Sequence, residues 1–126
     1  MARSGCLVAI VLMLTNPCYA QTPADAAGED MFKKACGVCH TIEPNAPARQ
    51  GPNLRGVYGR ASAQMAGFKY SEALASAHLT WDDATLDRWL TNPAALVPGT
   101  VMPYRQRDQE KRAHIIAYLK SLGGSN

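Results

Sequence analysis

The sequence predicts an all-α fold in one compact domain, and three observations support this. Apolar residues recur at helical spacing in several stretches of the 126-residue chain, and no stretch alternates apolar and polar residues as a strand does. Prolines and glycines interrupt residues 41–66, which we therefore predict to be mostly loop. The hydrophobic content of 47% and the charged content of 18% suit a single core and exclude a disordered chain.

The first 20 residues have the pattern of a secretory signal peptide. A basic Arg3 precedes an apolar run at residues 7–14, and a small residue, Ala20, stands where cleavage is expected. The apolar run is too short for a membrane-spanning helix, which needs about 20 residues. We therefore predict a signal peptide at residues 1–20 and a domain at residues 21–126 that is exported to the periplasm.

The four cysteines divide into two pairs. Cys6 and Cys18 fall in the predicted leader, whereas Cys36 and Cys39 remain in the mature domain. A lipid anchor on Cys18 is an alternative, although such an anchor needs small residues before the cysteine, and an asparagine and a proline stand there. Four cysteines in 126 residues are too few for a fold built on many disulfides.

Four helices are predicted in the domain. Residues 22–35 form the first, because a proline lies in the first turn and apolar residues recur on one face. Residues 70–76 form a short second helix. Residues 81–90 form the third, with Thr80 as its cap, two aspartates in its first turn and an Asn-Pro pair at its end. Residues 108–122 form the last, which two glycines end.

Residues 36–40 have the C-x-x-C-H spacing of covalent haem c attachment. The thiols of Cys36 and Cys39 can each add to one vinyl group of a haem, and His40 is then held under the iron as an axial ligand. A zinc site lacks its second pair of ligands here, and a redox dithiol needs a βαβ context. A chance match is the remaining alternative, but the long loops also indicate a large buried cofactor.

The second axial ligand decides whether the iron transfers electrons or binds small ligands. Met102 lies between Pro98 and Pro103, in a rigid segment that is suited to hold a thioether in a fixed place. The residues alone leave the choice open. The other candidates are Met31, Met65, His78 and His114.

With these motifs the chain resembles the class I cytochromes c, of the mitochondrial cytochrome c and bacterial cytochrome c2 type. The matching stretches are residues 36–40, 51–56, 59–60, 67–70, 79–81, 92–93, 97–102 and 116–119. The resemblance implies a fold in which the N- and C-terminal helices cross and loops wrap around one covalent haem. It places the helix crossing at Gly28, Phe32 and Tyr118, and it selects Met102 as the partner of His40 on the iron.

The resemblance also implies residues that hold the cofactor. The carbonyl of Pro52 accepts a hydrogen bond from His40, which fixes the ring. The positions that match donors to the haem propionates, together with a nearby cation, are Tyr70, Trp81, Thr100 and Arg60. A buried propionate costs several kcal/mol unless such groups pair with it. For Tyr70 and Trp81, packing in an aromatic core is the alternative.

The chain departs from the family pattern in two places, in the pocket and around the haem edge. Trp89 replaces a tyrosine that donates to the methionine sulfur, and Leu74 replaces a polar residue, so we expect a drier pocket. The lysines that surround the haem edge in the family are also missing. The corresponding positions are Ala35, Ala94, Ala95 and Val101. We therefore expect docking that depends less on charge.

The predicted function is electron transfer without enzymatic activity. The expected protein is a periplasmic, monomeric, single-haem carrier between respiratory or photosynthetic membrane complexes. Such partners are a quinol–cytochrome c reductase and a terminal oxidase or photosynthetic reaction centre. A net charge of +3 is too small and dispersed for a nucleic-acid-binding protein. The alternatives are a haem subunit of a specific dehydrogenase, and a haem enzyme or gas-binding sensor with a labile Met102.

Overall fold

The computed structural model describes residues 23–123, and the predicted leader at residues 1–20 lies outside the described residues. It contains α1 (Pro23–Met31), a π-helical turn (Phe32–Cys36), α2 (Glu72–Ala75), α3 (Asp83–Thr91), α4 (Pro93–Leu96) and α5 (Gln109–Ser121). No strand forms within the described range, where one isolated bridge joins Ala61 to Thr80. The predicted all-α class is confirmed. Between residues 23 and 123, no helix has the length and apolar character needed to cross a membrane.

The helices α1 and α5 pack closely against each other at Gly28. A Cβ atom at this position would collide with the carbonyl oxygen of His114 and the Cβ of Tyr118, so only glycine allows the approach. One turn later, the ring of Phe32 lies 5.7 Å from the ring of Tyr118. The predicted crossing of the first and last helices is confirmed, and it forms one side of the core.

The first helix changes its hydrogen-bond pattern at Phe32. We predicted one continuous helix over residues 22–35, but α1 ends at Met31 and the chain continues as a π-helical turn. In that turn the N–H of Gly37 donates to the carbonyl of Phe32 at 2.8 Å. The wider turn buries both Phe32 and Cys36. Apolar spacing does not reveal a single π turn, because the residues on its buried face still recur every three to four positions.

The helix α3 begins later than predicted. Its cap is Asp82, whose carboxylate accepts a hydrogen bond from the N–H of Thr85 at 2.7 Å, so the expected Thr80 cap is wrong. Trp81 instead lies before the helix, and its backbone N–H donates to the carbonyl of Arg60 at 3.0 Å. This contact ties Trp81 to a loop that is distant in sequence.

Asn92 both ends α3 and begins α4. Its backbone N–H closes the last turn of α3, and its side chain accepts a hydrogen bond from the N–H of Ala95 at 3.3 Å. Pro93 fits the first turn of α4 because that position needs no donor. We did not predict α4, since four residues are too few to show a periodic pattern. The helix predicted at 70–76 is also shorter, and Ser71 caps it.

Candidate functional site

A cavity of about 560 Å³ lies between the long loops, the π-helical turn, α3 and α5. All nine residues that we predicted to hold haem or iron line it. These are Cys36, Cys39, His40, Pro52, Arg60, Tyr70, Trp81, Thr100 and Met102. Much of the remaining wall is apolar, and it includes Val57, Leu86, Ile115 and Leu119. Among the described residues, the lining contains two cations, Arg60 and Lys69, and no carboxylate. The cavity therefore suits a large apolar group that carries negative charge at its edge.

The two cysteines and the histidine lie in one tight bend at the end of the π-helical turn. The backbone N–H groups of Cys39 and His40 both donate to the carbonyl of Cys36, at 3.0 and 2.9 Å. Cys36 is buried, which raises the pKa of its thiol to about 11, and the two sulfurs are not joined in a disulfide. The Cys39 thiol donates to the side chain of Gln50 at 3.2 Å. Both sulfurs are therefore held at the wall of one cavity.

The ring of His40 is fixed by a hydrogen bond and by a glycine. Its Nδ1 lies 2.8 Å from the carbonyl oxygen of Pro52, where Nδ1–H donates. Burial lowers the pKa of His40, although the same hydrogen bond opposes this, so the neutral ring is favoured. The lone pair is then on Nε2, the atom able to bind a metal.

Gly51 packs directly against this ring. Any Cβ at that position would collide with the imidazole of His40, so the loop passes the ring only because the residue is glycine. Gly51 belongs to one of the stretches that match the family, but the sequence does not predict its contact with His40. A close approach of this kind leaves no spacing pattern in a sequence.

Of the five side chains considered as the second iron ligand, Met102 alone lines the cavity. Met65 is held elsewhere, because its Sδ accepts a hydrogen bond from the backbone N–H of Asn53 at 3.1 Å. The others, absent from the described lining, are Met31, His78 and His114. The structure therefore brings one thioether to the cavity that His40 lines.

The indole of Trp89 donates a hydrogen bond to the sulfur of Met102. The distance from Nε1 to Sδ is 3.2 Å, and Trp89 is 7% exposed. Its ring also packs edge-on against Trp81, with 5.2 Å between centroids. We expected Trp89 only to make the pocket drier, but the indole keeps a donor at the sulfur. The sequence could not show this, because the contact depends on which way the ring is turned.

The four residues predicted near the propionates lie around the same cavity. The hydroxyl oxygen of Tyr70 accepts a hydrogen bond from the N–H of Met65 at 3.2 Å, which leaves its own O–H to donate. The backbone contact between Arg60 and Trp81 holds that pair together. Thr100 lies in the loop that carries Met102. These donors and one cation fit a haem, since its two carboxylates need such partners and its iron accepts nitrogen and sulfur ligands.

The chain resembles known proteins in both its sequence and its fold. A family profile described as "Cytochrome c" matches residues 26–123. The chain belongs to the cytochrome c family. The cytochrome c of Nigella damascena is 39% identical over 105 residues, which cover 81% of this chain and 95% of that protein. The cytochrome c2 of Rhodomicrobium vannielii is 42% identical over 98 residues, covering 77% and 78%.

A solved structure supports the same fold. Cytochrome cH from Methylobacterium extorquens matches with a TM-score of 0.69 and 42% sequence identity, and the match covers 77% of this chain and 97% of that one. The class I resemblance is therefore confirmed. Members of the family are electron carriers and not enzymes, and they bind haem c covalently through cysteines.

Replacing Trp89 with phenylalanine removes the donor to the Met102 sulfur and keeps an aromatic ring. If Met102 binds the haem iron, its sulfur would then donate more electron density to the iron, which would favour the ferric form. We expect the midpoint potential to fall by about 20 to 60 mV, which corresponds to about 0.5 to 1.5 kcal/mol for one hydrogen bond. Potentiometric titration of both proteins measures this difference, and an unchanged or higher midpoint would contradict it.

Proposed function

We propose that the chain is a periplasmic carrier that moves one electron at a time between membrane redox complexes. In this proposal Cys36 and Cys39 attach one haem, and His40 and Met102 bind its iron. The observation that carries the proposal is that the imidazole of His40 and the thioether of Met102 line the same cavity. The bound haem supplies the reversible change between ferrous and ferric iron.

The surrounding residues keep the two ligands in place. Nδ1 of His40 donates a hydrogen bond to the carbonyl oxygen of Pro52 at 2.8 Å. Nε1 of Trp89 donates a hydrogen bond to the sulfur of Met102 at 3.2 Å. Ligands held in this way in both oxidation states change little when an electron arrives, so the transfer needs little reorganisation. Arg60, lining the same cavity, offsets negative charge on the cofactor.

Absorption spectra of the purified holoprotein test the function. We expect the oxidised protein to show the weak band of a sulfur–iron bond near the red edge of the visible spectrum. The reduced protein should not bind carbon monoxide, because His40 and Met102 would both hold the iron and would leave no position for it. Immediate binding of carbon monoxide by the reduced protein would overturn the proposal and would favour a haem enzyme or gas-binding sensor. Purification only as a tight complex with one dehydrogenase would instead indicate a dedicated subunit.

Export to the periplasm is proposed from the leader pattern at residues 1–20. Cleavage after Ala20 leaves a mature chain that begins at Gln21, and thioether formation uses both of its cysteines. We expect the intact mass of the denatured protein to equal residues 21–126 plus one haem, with no titratable thiol. A mass that retains the leader, or a free thiol, contradicts this prediction.

The proposed docking surface is the apolar mouth of the cavity, formed by Val38 and Val101. These are the large hydrophobic side chains most exposed in the described chain, at 70% and 81%, and both line the cavity. Lys33 and Lys34, which precede Val38 in the chain, pair with acidic residues one turn earlier, at 2.6 and 2.7 Å, so Lys69 is the exposed lysine that the described lining contains. The mouth therefore favours partner complexes with an apolar contact around their own redox group, such as a quinol–cytochrome c reductase and a terminal oxidase or photosynthetic reaction centre.

The rate of electron transfer to such a complex should depend only weakly on salt. We expect it to fall by less than about threefold as ionic strength rises from about 0.01 to 0.15 M, while the Debye length shrinks from about 30 to 8 Å. The Val101→Lys variant should steepen this dependence, whereas Val101→Thr, of similar shape, should not. A steep fall for the unmodified protein, measured by stopped-flow, contradicts an apolar docking surface.

A further inference from the structure

The loop that carries Met102 has few backbone contacts of its own. Among the described residues, the backbone hydrogen bonds nearest to Met102 are from the N–H of Thr100 to the carbonyl of Val97, at 3.1 Å, and from the N–H of Gln106 to the carbonyl of Leu90, at 2.7 Å. The backbone between residues 101 and 105 makes none within the described chain. The position of the thioether therefore depends on how firmly the two ends of this loop are held.

The far end of the loop is held by one buried guanidinium. Arg112, on α5, is 8% exposed. Its Nη1 donates to the carbonyls of Gln106 and Arg107, at 3.1 and 2.9 Å. Its Nε and Nη2 donate to the two carboxylate oxygens of Asp87, on α3, at 2.7 and 3.4 Å. A single side chain thus joins α5, α3 and the end of the Met102 loop.

The α3 residues that hold the Met102 loop lie within one turn of the helix. Asp87 receives the guanidinium, Trp89 donates to the Met102 sulfur, and Leu90 accepts from the loop backbone. The sulfur and the chain that bears it are therefore held by neighbouring residues of the same helix. Arg112 is the group that fastens this turn to the loop and to α5.

We infer that Arg112 is a positioning residue for the Met102 ligand, and that it acts through the loop without contacting the cofactor. Its two carbonyl contacts keep the loop closed on α3, so that the thioether stays in reach of the iron. This inference rests on the proposed binding of iron by Met102. Lysine cannot replace the arginine fully, because one ammonium cannot span both the paired oxygens of Asp87 and the two carbonyls.

Imidazole titration of the oxidised holoprotein tests the inference, because imidazole binds iron only when Met102 has left it. The observed dissociation constant varies inversely with the fraction of open protein. We expect Arg112→Gln to bind imidazole about tenfold more tightly than the unmodified protein, with a weaker sulfur–iron band. Arg112→Lys should bind imidazole with an affinity between those of Arg112→Gln and the unmodified protein. It also provides the test if Arg112→Gln does not fold.

Two control variants separate positioning from general stability. Lys111→Gln changes an exposed cation on the same helix, 3.9 Å from Asp108, and should leave imidazole binding unchanged. Ile116→Val weakens the core at a buried residue of α5 and should lower the unfolding temperature without a change in imidazole binding. If the Arg112 variants lose stability but bind imidazole like the unmodified protein, the inference is overturned. If the unmodified protein lacks the sulfur–iron band, the proposed ligation by Met102 fails instead.

Discussion

Replacing Met102 with alanine should abolish the sulfur–iron band and lower the midpoint potential by more than about 100 mV, or about 2.3 kcal/mol for one electron. A thioether is a soft, weakly donating ligand that favours ferrous iron. Without it, water or another oxygen ligand reaches the iron and favours the ferric form. The reduced variant should also bind carbon monoxide, which spectrophotometry and potentiometry measure directly.

The matched control for this change is Met65→Ala. The Met65 sulfur accepts a hydrogen bond from the Asn53 backbone and is absent from the cavity lining. Its removal should leave the band, the potential and the resistance to carbon monoxide unchanged. The assignment of Met102 fails if the band survives in Met102→Ala, or if it disappears only in Met65→Ala.

The second large effect is expected at the crossing of α1 and α5, in the variant Gly28→Ala. The added methyl group would collide with the carbonyl oxygen of His114 and with Tyr118. Overpacking costs about 1 to 3 kcal/mol. We expect the steric cost at Gly28 to be near or above the upper value, because the His114 carbonyl is fixed by the backbone of α5 and cannot move away from the methyl group. The higher helix propensity of alanine returns about 1 kcal/mol, so the free energy of unfolding should fall by about 2 kcal/mol or more.

Denaturant unfolding of the holoprotein measures this difference, and Gly123→Ala provides the control. A Cβ at Gly123 would meet its nearest neighbour at 3.6 Å, an ordinary contact, so we expect a change within about 0.5 kcal/mol. Equal stability of the two alanine variants would show that the helices can separate without cost, contrary to the close packing at Gly28.

The sequence predicted the helices that carry strong local signals. The last helix agrees to within one residue at each end, because Asp108 caps it and apolar residues repeat along it. The four-residue α4 and the π-helical turn were missed, since neither is long enough to have a period of its own. The third helix was placed too early because Thr80 and Asp82 are both good capping residues, and only tertiary packing of Trp81 decides between them.

In the candidate site, too, some residues can be predicted from the sequence and others cannot. Cys36, Cys39 and His40 are adjacent, so their spacing alone indicated the chemistry. Met102 is far along the chain, and the residues by themselves left it one of five candidates until the family resemblance selected it. The donor on Trp89, the glycine against His40 and the contacts of Arg112 depend on orientations that only the folded chain defines.

The contact between α1 and α5 determines when the core of the domain can form. These helices are the first and the last of the described chain, so their contact closes the longest loop and pays the largest closure entropy. Until the final helix is present, Phe32 lacks the partner that buries it. If the leader at residues 1–20 directs export as we propose, and the N-terminal part of the chain crosses first, Cys36 and Cys39 would reach the far side of the membrane before the core can close over them. The thiols would then be accessible to haem during the interval that precedes folding.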